Sequence, residues 1–206
     1  MQLIGMLDSP YVRRVAISLH LLELPFEHQP LSVFSTFEQF SQINPIVKAP
    51  TLVTNDGTVL MDSTLILQWA ESLSSHSLTP ADSRQQLRDL RRTGLALAAC
   101  EKAVQMVYER QLRPSEKQHQ PWLDRVGRQL DAAYAALETE FSRGSEEVES
   151  NRMTHGQIAT AVAWSFTQLV LPGRILASAH PAIEQFTTTA EQWPAFRACP
   201  QVDSGQ

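Results

Sequence analysis

Sixteen residues, from Lys48 to Ser63, constrain the fold of this chain more than any other stretch. Two short apolar runs, Leu52-Val53 and Val59-Leu60-Met61, flank the turn cluster Asn55-Asp56-Gly57, whose glycine can adopt the positive φ of a tight hairpin. Asp62-Ser63 follows and offers side-chain oxygens to the first N–H groups of a helix. The apolar residues of that helix recur at helical spacing and are Leu65, Ile66, Trp69 and Leu73. The stretch therefore predicts an antiparallel hairpin that leads directly into a capped helix.

The residues upstream predict an alternation of strands and helices. Leu3 to Leu7 is a short apolar run typical of a strand buried on both faces, and Ser9 and Pro10 suit the N-cap and the first position of a following helix. Leu24 to Leu31 contains two prolines and predicts an edge strand, and Thr36 to Gln42 predicts a short helix. With the hairpin and its helix, the order is β-α-β-α-β-β-α, which is that of a thioredoxin-like domain.

The second half of the chain predicts a purely helical domain after a small, polar linker at 74–80. Apolar residues then recur every three or four positions in two long segments. The first series is Leu87, Leu90, Gly94, Leu97, Val104 and Tyr108, and the second is Trp122, Val126, Leu130, Ala133, Leu137 and Phe141. We therefore predict an α+β chain with a thioredoxin-like domain at 1–76, an all-α domain at 82–200 and a tail at 201–206.

A third helix of this domain is predicted by a capping box. Thr154 and Gln157 have the spacing at which each side chain covers the other's backbone N–H, and a nearly all-apolar helix follows from Ile158. The polar stretch from Ser142 to Arg152 before it predicts a surface loop. A helix that is apolar nearly all round belongs in the middle of a helical domain.

The charge balance argues against several classes of partner. The formal net charge is −5, which gives no electrostatic reason to expect nucleic acid or an anionic membrane. The most basic stretch is mixed in sign and is interpreted as a solvated helix face or the rim of an interface. It contains Arg84, Arg88, Arg91 and Arg92 with Asp82 and Asp89. A small-molecule or protein partner is favoured instead.

The cysteines and the apolar runs indicate a compartment. Cys100 and Cys199 are far apart and in no metal-ligand spacing, which predicts neither a disulfide framework nor a metal site. The apolar run from Ile158 to Leu171 is too short to span a bilayer, and no secretion signal is recognisable. We therefore expect a soluble protein located in the cytoplasm.

Three short motifs in this order resemble a known family. Ser9-Pro10-Tyr11, Lys48-Ala49-Pro50 and Asp62-Ser63 are similar to the corresponding motifs of cytosolic glutathione S-transferases of the serine type. The resemblance covers nearly the whole chain and is strongest over residues 1–73. It implies the two-domain transferase fold, glutathione as co-substrate, a homodimer with the third and fourth helices near the two-fold axis, and a cis bond before Pro50.

The resemblance also implies a role for each matched residue. Ser9 would stabilise the thiolate of glutathione, and Asp62 and Ser63 would hold the ammonium and carboxylate of its γ-glutamyl end. Lys48 would approach the glycyl carboxylate, and Ala49, beside Pro50, would pair through its backbone. The residues alone leave other readings open: helix caps for the serines and Asp62, and for Pro50 an ordinary strand entrance.

The function that follows is activation of the glutathione thiol for attack on a small electrophile. Peroxide reduction by bound glutathione and isomerisation need the same thiolate and stay open, although Asp8-Ser9-Pro10 lacks the Ser-Ser-Cys pattern of maleylacetoacetate isomerases. Ser9 cannot form the mixed disulfide of a thiol-transferring enzyme. The alternative is a protein that keeps the fold without catalysis, as the stringent starvation protein of bacteria does. Tyr108, Met106 and Cys100 are candidate walls of a second-substrate pocket, to none of which we commit.

Overall fold

The computed structural model describes residues 1–143 and 152–201 and divides into two compact units. The first comprises Met1–Leu78 together with the chain from Gln192 onward, and the second is Thr79–Glu191. The predicted tail beyond Gln201 and most of the predicted loop at 142–152 lie outside the described residues. The domain ranges 1–76 and 82–200 stay predictions. The contacts within the chain group the last described residues with the first unit.

A four-stranded mixed sheet forms the centre of the first unit. Its strands are β1 (Gln2–Ile4), β2 (Glu27–Gln29), β3 (Thr51–Val53) and β4 (Val59–Leu60). They lie in the order β2-β1-β3-β4; β1 is parallel to β2, and β3 is antiparallel to both of its neighbours. The predicted hairpin is thus confirmed as β3 and β4. Strand β1 ends at Ile4 rather than Leu7 because Gly5 turns the backbone at a φ of +136°.

Three helices connect and follow these strands. They are α1 (Pro10–Leu21), α2 (Phe37–Ile43) and α3 (Ser63–Glu71). The predicted starts of α1 and α3 are confirmed, with Ser9 and Asp62 as N-caps. The core between sheet and helices is formed by fully buried aliphatic side chains, among them Leu3, Ile4, Val12, Val15, Leu19, Leu52 and Ile66.

The second unit is entirely helical over its described residues. Its helices are α4 (Ser83–Gln111), α5 (Gln120–Ser142), α6 (His155–Val170) and α7 (Pro181–Ala190), with single turns of 3-10 helix at Ser115–Lys117 and Ala177–Ala179. Helix α6 packs against α4 and α7, and eleven of its sixteen residues are buried. This confirms its predicted central position.

The buried face of α4 differs from the one that its large apolar residues indicate. Leu87 and Leu90 are 69% and 62% exposed, and Tyr108 is also exposed. Small residues face the unit's interior instead, and the buried set includes Ala96, Ala99, Cys100, Ala103 and Met106. Small side chains allow the close approach of α6, whose own residues fill the core.

The interpretation of the arginine-rich stretch as a solvated face is wrong for two of its members. Arg92 is 4% exposed, and its guanidinium lies 5.0 Å from the centroid of the Phe141 ring. Asp89 is 5% exposed and accepts a hydrogen bond from the backbone N–H of Gly156 at the start of α6. Arg91 does lie at the surface, where it pairs with Glu140 at 3.1 Å.

A last short helix, α8 (Pro194–Ala198), packs against α1 within the first unit. Arg13 of α1 is fully buried; its Nε donates to the carbonyl of Cys199 at 2.8 Å, and its guanidinium lies 5.6 Å from the Phe196 ring centroid. These contacts give Arg13 a structural role, because they link α1 to the residues around α8. Among all described helices, none combines the length and the apolar character that crossing a membrane requires.

Candidate functional site

One edge of the sheet gathers the three sequence motifs singled out above. The register pairs Ile4 with Thr51 and Leu52 with Leu60, so the end of β1, the start of β3 and the end of β4 lie at the same edge. The segments leaving or entering this edge are 5–9, 48–50 and 61–63. Helices α1 and α3 both begin there, and the N-terminus of a helix carries a partial positive charge. The edge is therefore suited to anionic groups.

Ser9 stands at the N-cap of α1 but does not use its side chain as a cap. Its φ of −68° and ψ of 122° are those of an N-cap, Pro10 occupies the first helical turn, and the hydroxyl makes no capping hydrogen bond. The residue is partly exposed. The hydroxyl is therefore available to a ligand at the helix N-terminus.

Gly5 brings the turn after β1 into contact with the segment that precedes β3. A Cβ on Gly5 would lie 2.6 Å from Val12 Cγ2 and 3.2 Å from Ala49 Cβ, so a larger residue does not fit. The imidazole Nε2 of His28 on β2 lies 2.7 Å from the Gly5 carbonyl oxygen. The Ala49 segment and the turn that leads to Ser9 are thus direct neighbours.

The segment before β3 is held by local hydrogen bonds. The Ala49–Pro50 peptide bond is cis, as the resemblance implied. The Thr51 hydroxyl donates to the Lys48 carbonyl at 2.7 Å, and the buried Asn44 amide donates to Thr51 Oγ1 at 2.8 Å. The Lys48 side chain is exposed, and it takes part in no ion pair with the residues that the structure describes.

Asp62 caps α3, which is the role that the sequence analysis allowed for this residue without the family resemblance. Its Oδ1 accepts hydrogen bonds from the N–H groups of Thr64 at 2.9 Å and Leu65 at 3.4 Å. The peptide bond that precedes it, Met61–Asp62, is also cis. Because both capping bonds use Oδ1 and the side chain is exposed, Oδ2 is left for another donor.

Ser63 is buried and is held by Arg14, a residue that the sequence analysis did not single out. Arg14 Nη1 donates to Ser63 Oγ at 3.2 Å and lies 3.4 Å from Thr64 Oγ1. A serine hydroxyl that accepts a hydrogen bond keeps its own hydrogen for an acceptor. Arg14 is 3% exposed and joins the starts of α1 and α3. The available signal was a pair of neighbouring arginines, Arg13 and Arg14, inside an otherwise apolar stretch of α1.

The protein's two cysteine side chains are free thiols. Cys100 and Cys199 are both buried and are not joined in a disulfide. Burial raises the pKa of the Cys199 thiol to about 11, against the opposing effect of the Arg13 charge. Over residues 1–143 and 152–201, no group of three or more His, Cys, Asp and Glu side chains is placed to hold a metal ion. What the edge offers is hydroxyl groups, backbone groups, the exposed carboxylate of Asp62, the ammonium group of Lys48 and two helix N-termini.

Comparisons with known proteins find a matching N-terminal domain and a similar chain. Residues 3–80 match the family model of the glutathione S-transferase N-terminal domain. The chain is 28% identical over 174 residues to the uncharacterized GST-like protein YibF of Escherichia coli K12, an alignment that covers 84% of this chain and 86% of that protein.

Solved structures of glutathione transferases superimpose on the full length of this chain. A glutathione S-transferase from Methylobacterium radiotolerans in complex with glutathione sulfonate superimposes with a TM-score of 0.89 at 27% identity, covering 100% of this chain and 97% of that one. A glutathione transferase family member from Pseudomonas fluorescens Pf-5 with bound S-(propanoic acid)-glutathione gives 0.82 at 25% identity, covering 100% and 99%. The mixed sheet unit followed by a helical region is the glutathione S-transferase fold, and residues 3–80 of this chain match the N-terminal domain of that family.

Proposed function

We propose that this protein is a glutathione transferase that binds reduced glutathione at the sheet edge and activates its thiol for attack on a small electrophile. The observation that carries the proposal is the Ser9 hydroxyl, which stands at the start of α1 without serving as its cap. The cis Ala49–Pro50 segment and the Asp62-Ser63 pair open onto the same edge. The Methylobacterium and Pseudomonas relatives carry glutathione derivatives in their structures, which supports glutathione as the ligand.

Ser9 has the role of stabilising the thiolate. A hydroxyl that donates to sulfur favours the charged form over the thiol, and so does the positive end of a helix. The thiolate then forms a bond to the electrophilic atom of the second substrate, whose leaving group departs or whose double bond takes up the electron pair. No bond to the protein is made or broken, so Ser9 needs only to donate its hydrogen bond.

The Asp62-Ser63 pair and Lys48 hold the two ends of the tripeptide. Asp62 Oδ2 accepts from the γ-glutamyl ammonium, while the Ser63 hydroxyl, set by Arg14, donates to the γ-glutamyl carboxylate at the start of α3. The exposed Lys48 ammonium reaches the glycyl carboxylate. Ala49 contributes its backbone N–H and carbonyl to the peptide part of glutathione.

The thiolate difference spectrum in the ultraviolet, recorded while reduced glutathione is titrated into the protein at neutral pH, tests this function. We expect a saturable thiolate signal. Ser9→Ala should raise the pKa of the bound thiol by about one to two units, because a hydrogen bond to a charged group is worth about 1.5–3 kcal/mol. The affinity for glutathione measured by calorimetry should change little, since the tripeptide's other contacts remain.

The matched control is Ser72→Ala, which removes an exposed serine hydroxyl at the far end of α3 and should leave the spectrum unchanged. A wild-type protein that shows neither a thiolate signal nor calorimetric binding of glutathione would sink the proposal. The same result would favour a protein that keeps the fold without catalysis.

We also propose that the protein acts as a homodimer. The first unit exposes the apolar side chains of Leu65 on α3 and of Leu73 just after it, and the second exposes Leu87 and Leu90 on α4. Exposed apolar patches of this kind mark protein interaction surfaces. The cytoplasm is the proposed location, because a reducing glutathione pool is found there and because both cysteines are thiols.

A further inference from the structure

The turn between β1 and α1, residues 5–9, is held by hydrogen bonds from two distant parts of the first unit. Within the turn, the Ser9 N–H donates to the Met6 carbonyl at 3.2 Å. This hydrogen bond fixes the shape of the turn but not its position on the sheet. The position of the turn depends on what holds its two ends, at Gly5 and at Asp8.

Strand β2 holds the first end through the N–H and the carbonyl of Gly5. The Gly5 N–H donates to the Gln29 carbonyl at 3.0 Å, and His28 Nε2 lies 2.7 Å from the Gly5 carbonyl oxygen. A glycine has more backbone freedom than any other residue, so its conformation has to be fixed by its surroundings. These two hydrogen bonds fix the peptide planes before and after Gly5.

The hydrogen bond from His28 does not depend on the charge of the imidazole. A carbonyl oxygen only accepts hydrogen bonds, so Nε2 carries the proton. It does so in the neutral imidazole that has its hydrogen on Nε2, and it does so in the protonated imidazolium. The bond is partly buried, where water competes for it less than at an exposed site. His28 therefore holds Gly5 in both of its protonation states.

The last described residue holds the second end of the turn. Gln201 Nε2 donates at 3.2 Å to the Asp8 carbonyl, which belongs to the peptide bond that leads into Ser9. Gln201 is partly buried, and two positions before it the Cys199 carbonyl accepts from Arg13 of α1. The turn is therefore held at one end by β2 and at the other by the segment that follows α8.

We propose that His28 and Gln201 are positioning residues for Ser9, because together they set where the turn places the Ser9 hydroxyl relative to the sulfur of glutathione. The inference rests on the proposed function. Neither side chain is among those proposed to contact glutathione, so each acts through the backbone of the turn. Hydrogen bonds weaken steeply at angles below about 120°, so a displaced turn stabilises the thiolate less although the hydroxyl is still present.

The pKa of the thiol of bound glutathione, measured from the ultraviolet thiolate signal at several pH values, tests this role. His28→Leu should raise that pKa by about 0.5–1 unit, less than Ser9→Ala does, because the hydroxyl stays but its hydrogen bond is misaligned. Gln201→Ala should shift the pKa in the same direction. His28→Gln keeps a side-chain N–H donor and should restore a value close to that of the wild type.

The matched control is His76→Leu. It removes an exposed imidazole of the same unit that lies 3.8 Å from a carboxylate oxygen of Glu23, and it should leave the pKa of the bound thiol unchanged. A merely structural role of His28 would lower the stability of His28→Leu but would not move the pKa of a thiol bound to the folded protein. The calorimetric affinity for glutathione should change little in all four variants, since the contacts to the ends of the tripeptide remain.

Amide hydrogen exchange followed by NMR in the absence of glutathione measures the hold on the turn itself. The Gly5 N–H in His28→Leu and the Ser9 N–H in Gln201→Ala should exchange about fivefold faster than in the wild type, because each variant loses one hydrogen bond that opposes local opening. Unchanged exchange in both variants, or an unchanged thiol pKa in His28→Leu, would overturn the inference and leave the proposed function in place. A wild type without a thiolate signal would overturn the proposed function, and this inference with it.

Discussion

At the scale of single residues, Asp89 shows how burial and hydrogen bonding compete for one carboxyl group. It is 5% exposed, and its Oδ1 accepts from the Gly156 N–H at 3.0 Å, at the start of α6. Burial raises its pKa above the ordinary value, because desolvation of the charge outweighs the hydrogen bonds from Thr154 and Gly156 and the positive charges of His155 and Arg92. The folded protein therefore binds this proton more tightly than the unfolded chain does.

Asp89→Asn should remove this contribution to the pH dependence of stability. A raised pKa in the folded state means that the contribution of Asp89 is fully present below its unfolded pKa and is lost as the pH rises through the folded pKa. The free energy of unfolding of the wild type, minus that of the variant, should fall as the pH rises from 3.5 to 5.5. Urea denaturation at several pH values across this range measures the difference.

The asparagine keeps an oxygen that can accept from Gly156, so the variant should fold with α6 in place. Histidines titrate mostly above this pH range, which limits their effect on the comparison. A difference that is constant, or that grows as the pH rises, would show that the contacts of the Asp89 carboxylate outweigh its desolvation.

The site residues differ in how far the sequence could predict them. The residue types at Ser9 and Asp62 predicted helix starts, and both helices begin there. The sequence could not tell that Asp62 uses its side chain as a cap while Ser9 does not, because this depends on side-chain orientation. The role of Arg14 could not be predicted either, since its hydrogen bond to Ser63 joins residues 49 positions apart.

At the scale of secondary-structure elements, the capping box at the start of α6 is predictable from sequence because it is local. Thr154 Oγ1 accepts from the Gln157 N–H at 3.4 Å, and Gln157 Oε1 accepts from the Thr154 N–H at 2.9 Å. The presence of glycine at position 156, next to the capping residues, is explained by a contact with a different helix. A Cβ there would lie 2.6 Å from Asp89 Oδ1 and 2.7 Å from the Asp89 carbonyl oxygen, so the glycine permits the close approach of α4.

Thr154→Ala should lower the free energy of unfolding by about 1 kcal/mol, the usual cost of removing an N-cap hydroxyl. Thr154→Ser keeps the hydroxyl and should lie within a few tenths of a kcal/mol of the wild type. Urea denaturation of the three proteins at one pH measures both effects. Equal stability of the alanine and serine variants would show that the hydroxyl does not stabilise α6.

The elements that the sequence predicts best are those with a regular spacing of apolar residues. The hairpin, α1, α3 and the long helices form where their patterns predict, whereas several of the apolar residues predicted for α3 and α4 are not buried. Periodicity identifies a helix whether its apolar side chains contact the unit's own core or another surface. Exposed Leu87 and Leu90 satisfied the helical spacing but not the burial that it usually indicates.

At the scale of the whole molecule, the exposed leucines of α4 predict an effect on association. At micromolar protein concentration, Leu90→Asp should convert the proposed dimer into monomers, because the dimer interface would have to bury an unpaired carboxylate. Sedimentation equilibrium of wild type and variant measures the mass of each. Leu176→Asp is the matched control, since Leu176 is 59% exposed, close to the 62% of Leu90, and lies outside α4.

A wild-type protein with the mass of one chain throughout the micromolar range would contradict the proposed dimer. Dissociation by Leu176→Asp to the same extent as by Leu90→Asp would contradict the assignment of the interface to α4. The variants should keep the helical content of the wild type by circular dichroism, because both leucines are exposed within a single chain.

The hydrogen bond from the Arg13 side chain to the Cys199 carbonyl has a consequence for the order in which the protein is completed during synthesis. Its two residues are 186 positions apart, so α1 and its sheet leave the ribosome long before their partner is translated. The 113 residues of the helical unit, Thr79–Glu191, take roughly 6 to 23 s to add at about 5–20 residues per second. Until then a buried arginine lacks the carbonyl acceptor that the finished protein supplies. The first unit to emerge is therefore the last to be completed, after the helical unit has been synthesised.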